Sequence, residues 1–174
     1  INIQRVRRIF RQAMKQDGAK YNKEWPYKNV PRRILAEKLL VEQGESAPRD
    51  YKVMCFGGIP KLIEFHVGRY SENHRQDFYD CDWNLTDITQ GKYGNCSSCA
   101  EPEPENLKEM LRLSSILSEG IPHCRVDWYD VKGKLYFGEI TFFDGSGFCP
   151  FDKIKDDLLI GSWITLPERT KNLY

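Results

Sequence analysis

A strand–turn–strand pattern with a carboxylate in each strand constrains the fold of this chain more than any other feature. Residues 125–129 and 135–141 are rich in β-branched and aromatic side chains, and Lys132-Gly133 lies between them. Such a pattern predicts a β-hairpin. Asp127 and Glu139 lie near the middle of the two strands, so the hairpin brings two acidic residues close together.

The length of the turn decides whether the two carboxylates share a face. A three-residue loop with Gly133 in the left-handed conformation pairs Arg125 with Glu139 and puts Asp127 on the face of Glu139. Carboxylates that approach on one face repel unless a cation lies between them, and Mg²⁺ prefers carboxylate oxygens. A two-residue turn would put Asp127 and Glu139 on opposite faces, and the hairpin would then carry an ordinary solvated, charged face.

A loop that contains two glycines follows the strand of Glu139. Residues 142–148 read Phe-Phe-Asp-Gly-Ser-Gly-Phe. Small residues let successive backbone N–H groups point at one spot, which suits an anion. A divalent cation followed by an anion-binding loop is what a nucleotide phosphate and an acyl phosphate need.

The composition narrows the class of protein. The chain has 174 residues, of which 40% are hydrophobic and 29% charged, enough for one sizeable soluble domain. The net charge of +1 gives no support for a nucleic-acid partner. No apolar run of about 18 residues and no signal peptide is found. We therefore expect a cytoplasmic protein with no integral membrane segment and no nucleic-acid partner.

Apolar periodicity predicts the remaining elements. Helical spacing of apolar residues predicts helices over 3–16 and 105–119, and residues 151–159 are expected to form a closing helix. Residues 50–56 and 61–67 flank a glycine-containing turn and predict a second hairpin. Residues 68–94 show few periodic signals, and a loop of this length is often functional.

A lone Cys-x-x-Cys pair is formed by Cys96 and Cys99. Zinc sites of this kind normally need a second pair of ligands, which Cys81 or His74 could in principle supply. A surface loop with reduced thiols is the simpler expectation.

Four stretches carry a resemblance to a known family. They are Asp-Phe-Tyr-Asp-Cys-Asp-Trp (77–83), Arg-Val-Asp-Trp-Tyr (125–129), Gly-Lys-Leu-Tyr-Phe-Gly-Glu-Ile-Thr (133–141) and Gly-Ser-Gly-Phe (145–148). Together they resemble the carboxy-terminal half of ATP-grasp enzymes, most closely the TupA-like branch found in bacterial teichuronopeptide and capsular-polysaccharide gene clusters. The resemblance runs from about Arg32 to Pro167. It implies an α+β, ATP-grasp-like fold with a mostly antiparallel sheet and flanking helices.

The resemblance also implies a domain division. Residues 1–31 would be the partial end of the small ATP-grasp lobe, and residues 32–174 the carboxy-terminal catalytic lobe. ATP-grasp enzymes need a strand lysine and a glycine-rich loop upstream, and no glycine-rich segment precedes residue 30. We therefore expect a fragment that lacks the amino-terminal domain and is inactive as an enzyme on its own.

The family's nucleotide-binding positions carry over to four residues. Glu37 would meet the adenine amino group, and the backbone from Lys38 to Leu40 would hold the base edge. Asp50 falls where the family has its ribose-binding acid. The simpler alternatives are a solvated charge at Glu37 and a turn residue at Asp50.

The resemblance implies metal and catalytic roles for the hairpin and the loop. Asp127 and Glu139 match the acids that hold Mg²⁺ on the ATP phosphates. Thr141 stands where many ATP-grasp ligases have Asn, and a hydroxyl is a poorer ligand than an amide oxygen. Arg125 matches an arginine that stabilises phosphate charge. The residues that match the loop facing the acyl phosphate are Gly145, Ser146 and Gly147.

Four basic residues near the second hairpin are a further candidate cluster: His66, Arg69, His74 and Arg75. They could clamp a phosphate or an acidic acceptor, or they could form a solvated surface.

The implied activity is that of a carboxylate–amine ligase with ATP and Mg²⁺ as cofactors. The partners would be small-molecule or polysaccharide-linked acids and amines, such as a uronic-acid carboxylate and an amino acid or peptide, at the periphery of a polysaccharide-assembly machinery. Two alternatives stay open. Members of this branch are also labelled glycosyltransferases, and a degenerate, non-catalytic ATP-grasp remnant could bind a partner or a glycan.

Overall fold

The computed structural model describes residues 2–17, 19–20, 23–40, 48–69, 71–72, 74–91, 93, 95 and 97–168. The strands are Asp50–Phe56 (β1), Ile59–Val67 (β2), Arg75–Tyr79 (β3), His123–Val131 (β4) and Lys134–Thr141 (β5). The longer α-helices are Ile3–Ala13 (α1), Leu107–Leu117 (α2) and Ile154–Ser162 (α3). Within the described ranges, no helix has both the length and the apolar character needed to span a membrane.

The five strands form one sheet in the order β3-β2-β1-β4-β5, and each neighbouring pair is antiparallel. This confirms the predicted α+β class with an antiparallel sheet and flanking helices. The strand β3 lies inside the segment predicted to be a loop. Its residues Gln76 and Asp77 are polar but buried, so it lacks the apolar pattern by which a strand is recognised.

One face of the sheet packs against α2 and forms the larger apolar core. Val53 and Cys55 of β1 are fully buried there, and Leu107 and Met110 of α2 pack against them. Each apolar side chain buried in this way contributes about 1.5–3 kcal/mol. This layer therefore fixes the positions of the central strands, which carry buried charged residues on their other face.

The opposite face of the sheet is divided into an apolar half and a charged half. In the apolar half, Met54 and Phe56 pack with Phe78 and with Ile160 of α3. The charged half contains six buried titratable residues: Asp50, Lys52, Glu64, His66, Arg125 and Asp127. The strand register brings these side chains together, because Lys52 is paired with Glu64 on one side and with Asp127 on the other.

The turn between β4 and β5 contains two residues. Val131 pairs with Lys134, so Lys132 and Gly133 alone form the turn, with φ angles of 54° and 68°. Two consecutive left-handed residues are typical of the turn whose twist suits a two-residue hairpin. The three-residue loop expected from the sequence is therefore wrong.

A β-bulge in β5 nevertheless keeps the two carboxylates on one face. The pairing shifts by one residue between Val126 and Trp128, so Gly138 and Glu139 both lie opposite Asp127. The extra residue in β5 offsets the short turn. The alternative in which a two-residue turn separates Asp127 from Glu139 is thereby excluded.

Cys99 forms part of a disulfide bond, so the expected reduced thiol is wrong at this position. The other residue of the Cys-x-x-Cys pair, Cys96, lies outside the described residues. Among the residues that are described, no three His, Cys, Asp or Glu side chains are grouped so that they could hold a metal ion. The zinc alternative therefore has no support.

Candidate functional site

A network of buried charges lies at the centre of the sheet face opposite α2. Lys52 is placed between two carboxylates, since its Nζ is 3.1 Å from Asp50 Oδ2 and also contacts Asp127 Oδ2. Arg125 donates to Asp127 through Nε to Oδ1 (2.8 Å) and through Nη2 to Oδ2 (3.0 Å). Asp127 is only 2% exposed, and a carboxylate so deeply buried requires such pairing.

Two cations at the centre of the network, Lys52 and Arg125, keep their charge. Burial acts to lower the pKa of Lys52, but Asp127 and Asp50 outweigh it and raise the pKa above its ordinary value. Burial also opposes the charge on Arg125, while its hydrogen bonds and the nearby charges of Asp127 and Asp144 raise the pKa. Two permanent cations are therefore held on this face, where they could meet an anionic group.

Arg125 is the hub of the network. Its Nη1 donates to Asp144 Oδ1 at 2.5 Å and lies 3.7 Å from Glu64 Oε2. Its Nη2 lies 3.8 Å from Glu139 Oε1 and donates to Thr141 Oγ1 at 3.4 Å. Four residues from the predicted metal and catalytic set are thus brought together: Arg125, Asp127, Glu139 and Thr141. The side chain of Glu139 is 66% exposed, so it is the member of this set most open to a ligand.

The donor chemistry of this group suits Mg²⁺, although the side chains do not form a closed metal cage. The guanidinium of Arg125 lies among Asp127, Glu139 and Thr141, and the described residues contain no cluster of three metal-ligating side chains. All three side chains offer oxygen atoms, however, and Mg²⁺ is usually bound by one or two carboxylates together with substrate phosphates. The residues therefore fit Mg²⁺ that arrives on a nucleotide rather than Mg²⁺ held by protein alone.

Asp50 is a buried strand residue and not a turn residue. It begins β1, it is 1% exposed, and its Oδ2 accepts a hydrogen bond from Arg69 Nη1 at 2.6 Å. Its other oxygen, Oδ1, has no hydrogen-bond partner in the part of the chain that the structure describes. An unsatisfied buried oxygen costs about 1–3 kcal/mol, and a ligand hydroxyl could satisfy it.

The other predicted nucleotide-binding residues lie elsewhere. Residues 31–40 form an extended segment without strand pairing, in which Glu37 and Lys38 are exposed and Leu40 is half-buried. Among the described residues, none of these three side chains forms a hydrogen bond or an ion pair with the network around Arg125. The structure therefore does not bring Glu37, Lys38 and Leu40 together with Asp50.

The basic cluster predicted around the second hairpin is split between two roles. His66 is buried on β2, where its Nε2 is 2.6 Å from Glu64 Oε1 and its Nδ1 is 2.9 Å from His74 Nε2. It thereby extends the charged network away from Arg125. Arg75, in contrast, donates to Asp77 at 2.7 Å and anchors β3. A solvated surface is therefore wrong for His66 and Arg75.

The loop after β5 is a tight turn with left-handed residues. Gly145, Ser146 and Gly147 have φ angles of 49°, 61° and 76°. A Cβ on Gly145 would lie 2.3 Å from Cys149 Sγ, so glycine is required there on steric grounds as well. Ser146 Oγ donates to Glu24 Oε1 at 3.0 Å, which ties the loop to the amino-terminal segment.

Sequence reasoning missed Lys52 and Glu64 as members of the site. Lys52 lies two residues after Asp50 in an otherwise apolar strand, and such i, i+2 spacing indicates that both polar side chains share a face. That signal was available in the sequence. The pairing of Lys52 with Asp127, however, depends on the register between β1 and β4, for which the sequence carries no local signal.

An apolar cavity adjoins the charged network. It has a volume of about 660 Å³ and lies between the loop after β5, the start of β4 and α3. Met54, Phe142, Phe143 and Ile160 are among its apolar lining residues, and Asp144 belongs to the lining as well. Because Asp144 also binds Arg125, the cavity and the charged network share a border.

Comparison with known proteins gives one match. The sequence model described as TupA-like ATPgrasp matches residues 1–165. No curated protein and no solved structure matches the chain. The match begins at residue 1, before the point near Arg32 from which the motifs themselves carry the resemblance, and it covers nearly the whole chain. The chain therefore belongs to the TupA-like ATP-grasp family.

Proposed function

We propose that this protein is an ATP-dependent carboxylate–amine ligase of bacterial surface-polysaccharide biosynthesis. The observation that carries the proposal is the position of Arg125, which binds Asp127 and Asp144 and approaches Glu139 and Thr141. Family membership makes ATP the expected nucleotide. The buried oxygen donors and the two permanent cations supply the charges that a nucleotide phosphate and a metal ion need.

In this proposal the reaction has two steps. A carboxylate oxygen attacks the γ-phosphorus of ATP, the bond to the β-phosphate oxygen breaks, and ADP leaves. The nitrogen of an amine then attacks the carbonyl carbon of the acyl phosphate and loses a proton, and inorganic phosphate leaves. The products are an amide, ADP and phosphate. A uronic-acid carboxylate and an amino acid or peptide are the substrates that the family context suggests.

In this proposal, different residues of the network would bind the metal ion and stabilise the phosphoryl group. Asp127 and Glu139, with Thr141 beside them, would hold Mg²⁺, which neutralises phosphate oxygens when it is bound. Arg125 and the loop residues Ser146 and Gly147 would steady the charge on the transferring phosphoryl group. This role requires the guanidinium to exchange a carboxylate partner for a phosphate, a change that suits its planar set of donors.

The remaining assignments concern the nucleotide and the chain's organisation. We place Asp50 at the ribose, where its unpartnered Oδ1 could accept a hydroxyl donor. Glu37, Lys38 and Leu40 would meet the base, with residues 1–31 belonging to the small lobe and residues 32–174 to the catalytic lobe. Because the reaction consumes ATP, we propose that it takes place in the cytoplasm.

Mg²⁺-dependent release of ADP tests this function. The assay uses the product of the whole reading frame, with candidate uronic acids and amino acids added separately and together. Release should require both substrates and should be lost in Asp127→Asn and Glu139→Gln. Glu109→Gln, which changes an exposed carboxylate on α2, is the matched control and should leave the rate unchanged. Unchanged turnover in the first two variants would remove the metal assignment.

One observation favours a second candidate, a non-catalytic member that binds a partner or a glycan. Asp127 and Asp144 already have Arg125 as a cationic partner, so these two carboxylates are paired without a metal ion. Calorimetric titration with ATP separates the two candidates. The ligase requires ATP binding that strengthens with Mg²⁺, whereas the non-catalytic protein shows no Mg²⁺-dependent binding.

A further inference from the structure

The cavity beside Asp144 has the features of a binding site for an organic ligand with an apolar body. Its volume of about 660 Å³ lies in the range of small-molecule sites, and most of its lining is apolar. Phe142 and Phe143 of the loop after β5 line it, and so does Ile160 of α3. Only a few polar groups reach it, which is the usual arrangement when such groups fix the orientation of a ligand.

His123 supplies the first polar group of the cavity. Its Nδ1 is 3.0 Å from the carbonyl oxygen of Cys55, and a carbonyl can only accept, so Nδ1 carries the hydrogen. Burial lowers the pKa of His123, although the bond to Cys55 and the charge of Asp144 act in the opposite direction. The neutral ring therefore presents the lone pair of Nε2, for which the described residues provide no partner. The ring is fixed by stacking on Phe56, with centroids 4.5 Å apart.

Asp144 supplies the second polar group. Its Oδ1 accepts from Arg125, while its Oδ2 has no hydrogen bond within the described part of the chain, and its side chain is 31% exposed. Asp144 and His123 both line the cavity, and both are acceptors. Two donors also line the cavity: Gln90 Nε2 already donates to the carbonyl oxygen of Cys149 at 3.0 Å, and Trp25 contributes an indole N–H. The acceptor atoms of Asp144 and His123 therefore favour a ligand that donates hydrogen bonds.

The charge of the neighbouring network favours a cation. Its carboxylates are Asp50, Glu64, Asp127, Glu139 and Asp144. Its cations are Lys52, Arg69 and Arg125. Of these carboxylates, Asp144 lines the cavity, and it accepts from Arg125 through Oδ1, so Oδ2 is the oxygen that a positively charged group can approach.

From these observations we infer that the cavity binds the amine substrate, and that this substrate is a primary amine with a large apolar side chain. The ammonium group donates hydrogen bonds to Asp144 Oδ2 and His123 Nε2, and the apolar body lies against Phe143 and Ile160. The use of this amine in amide formation rests on the proposed ligase function, but its binding does not. A small or strongly polar amine would leave the apolar lining in contact with water and would bind less tightly.

Calorimetric titration with three probes of one shape tests the inference. The probes are 2-phenylethylamine, 2-phenylethanol and 3-phenylpropionate, which carry a cation, a neutral group and an anion on the same apolar body. The amine should bind at least about tenfold more tightly than the alcohol, since a charge-assisted hydrogen bond is worth more than a neutral one. The acid should bind least. Equal binding of the amine and the alcohol would overturn the inference.

Two variants locate the binding site, and one serves as a control. Asp144→Asn should weaken binding of the amine about tenfold and leave the alcohol unchanged. Phe143→Ala should weaken the binding of the amine and of the alcohol by a similar factor, because it removes apolar contact area from the cavity. Phe148→Ala is the matched control, since Phe148 is a highly exposed aromatic residue of the same loop that does not line the cavity. Equal effects of Phe143→Ala and Phe148→Ala would overturn the inference even if Asp144→Asn failed to fold.

Competition by adenosine and a separate titration with Mg²⁺-ATP distinguish a failure of this inference from a failure of the proposed ligase function. If adenosine displaces 2-phenylethylamine, the cavity holds a base and the amine assignment is wrong. Amine binding needs no nucleotide, so Mg²⁺-ATP is titrated in a separate experiment. Nucleotide binding without amine binding would overturn the inference alone. Amine binding without nucleotide binding would confirm the inference and contradict the ligase function.

Discussion

Arg125 and Asp127 form a bidentate ion pair in which Nε and Nη2 of the guanidinium each donate to a different carboxylate oxygen. The two residues are neighbours on one face of β4, because they are separated by a single position. Both side chains are at least nine-tenths buried. The pair is therefore part of the structural core of the sheet as well as the centre of the candidate site.

Arg125→Ala should destabilise the fold strongly. The substitution leaves Asp127 without its principal partner in a buried position, and removal of one member of a buried ion pair costs about 3–5 kcal/mol. Urea unfolding followed by circular dichroism measures the loss. Arg112→Ala is the matched control, since Arg112 makes an equally short ion pair with Glu109 on the exposed surface of α2. We expect no measurable change there, because exposed pairs contribute little.

A small effect of Arg125→Ala would show that water or another cation replaces the guanidinium. Arg125→Lys distinguishes charge from geometry. Lysine keeps the positive charge but cannot donate in the bidentate fork, so it should recover only part of the stability. Full recovery would contradict the structural role assigned to the two parallel hydrogen bonds.

Gly138→Ala should destabilise the β4–β5 hairpin. A Cβ at Gly138 would lie 3.0 Å from the backbone oxygen of Asp127, and backbone atoms can move away only by disturbing the bulge. Overpacking of this kind costs about 1–3 kcal/mol. The free energy of unfolding in urea measures the effect. Gly161→Ala is the control, since a Cβ at Gly161 of α3 would meet no heavy atom within 4 Å, and alanine is the better helix former.

If Gly138→Ala left the free energy of unfolding unchanged, the bulge would not require a residue without a Cβ at position 138. The same variant also tests how the two acids are brought together. A bulge that shifts along β5 would turn Glu139 towards the other face, because a one-residue slip reverses every side chain. Mg²⁺-ATP binding should then weaken together with stability, whereas Gly161→Ala should leave both intact.

The class of the fold could be predicted from the sequence, but the way in which the site is assembled could not. The hairpins and helices follow from local apolar periodicity and turn residues, which the sequence displays directly. From the sequence, Asp127 and Glu139 are predicted to share a face only if the hairpin has a three-residue loop. The structure reaches the same face through a two-residue turn and a bulge at Gly138, two features whose effects on the register cancel.

Long-range pairing explains the parts that sequence reasoning missed. Lys52 meets Asp127 only because β1 lies beside β4, and their positions are 75 residues apart in the chain. The strand β3 was missed for a related reason. Its buried Asp77 is stabilised by Arg75 rather than by apolar neighbours, so the strand carries no alternating apolar pattern.

The stability of the protein should fall as the pH is lowered from about 7.5 to 5.5, and His123 should account for part of the fall. The folded protein holds the pKa of His123 below its ordinary value of 6.5, chiefly through burial. As the pH falls through 6.5, the unfolded chain takes up a proton that the folded His123 does not accept. The free energy of unfolding therefore decreases, by at most about 1.4 kcal/mol per pH unit for one group. The loss ends once the pH is below the folded-state pKa, where both states are protonated.

His123→Gln isolates this contribution, because glutamine does not titrate and its amide can still donate to the carbonyl of Cys55. Urea unfolding of both proteins at a series of pH values gives two curves, in which the effects of all other titrating groups are shared. The difference between the curves should be flat above about pH 7.5, where His123 is neutral in both states. It should change steadily below that pH as the unfolded wild-type chain gains its proton. Parallel curves over the whole range would mean that His123 has the same pKa in the folded and unfolded states. That result would contradict the conclusion that burial keeps the His123 ring neutral where it lines the cavity.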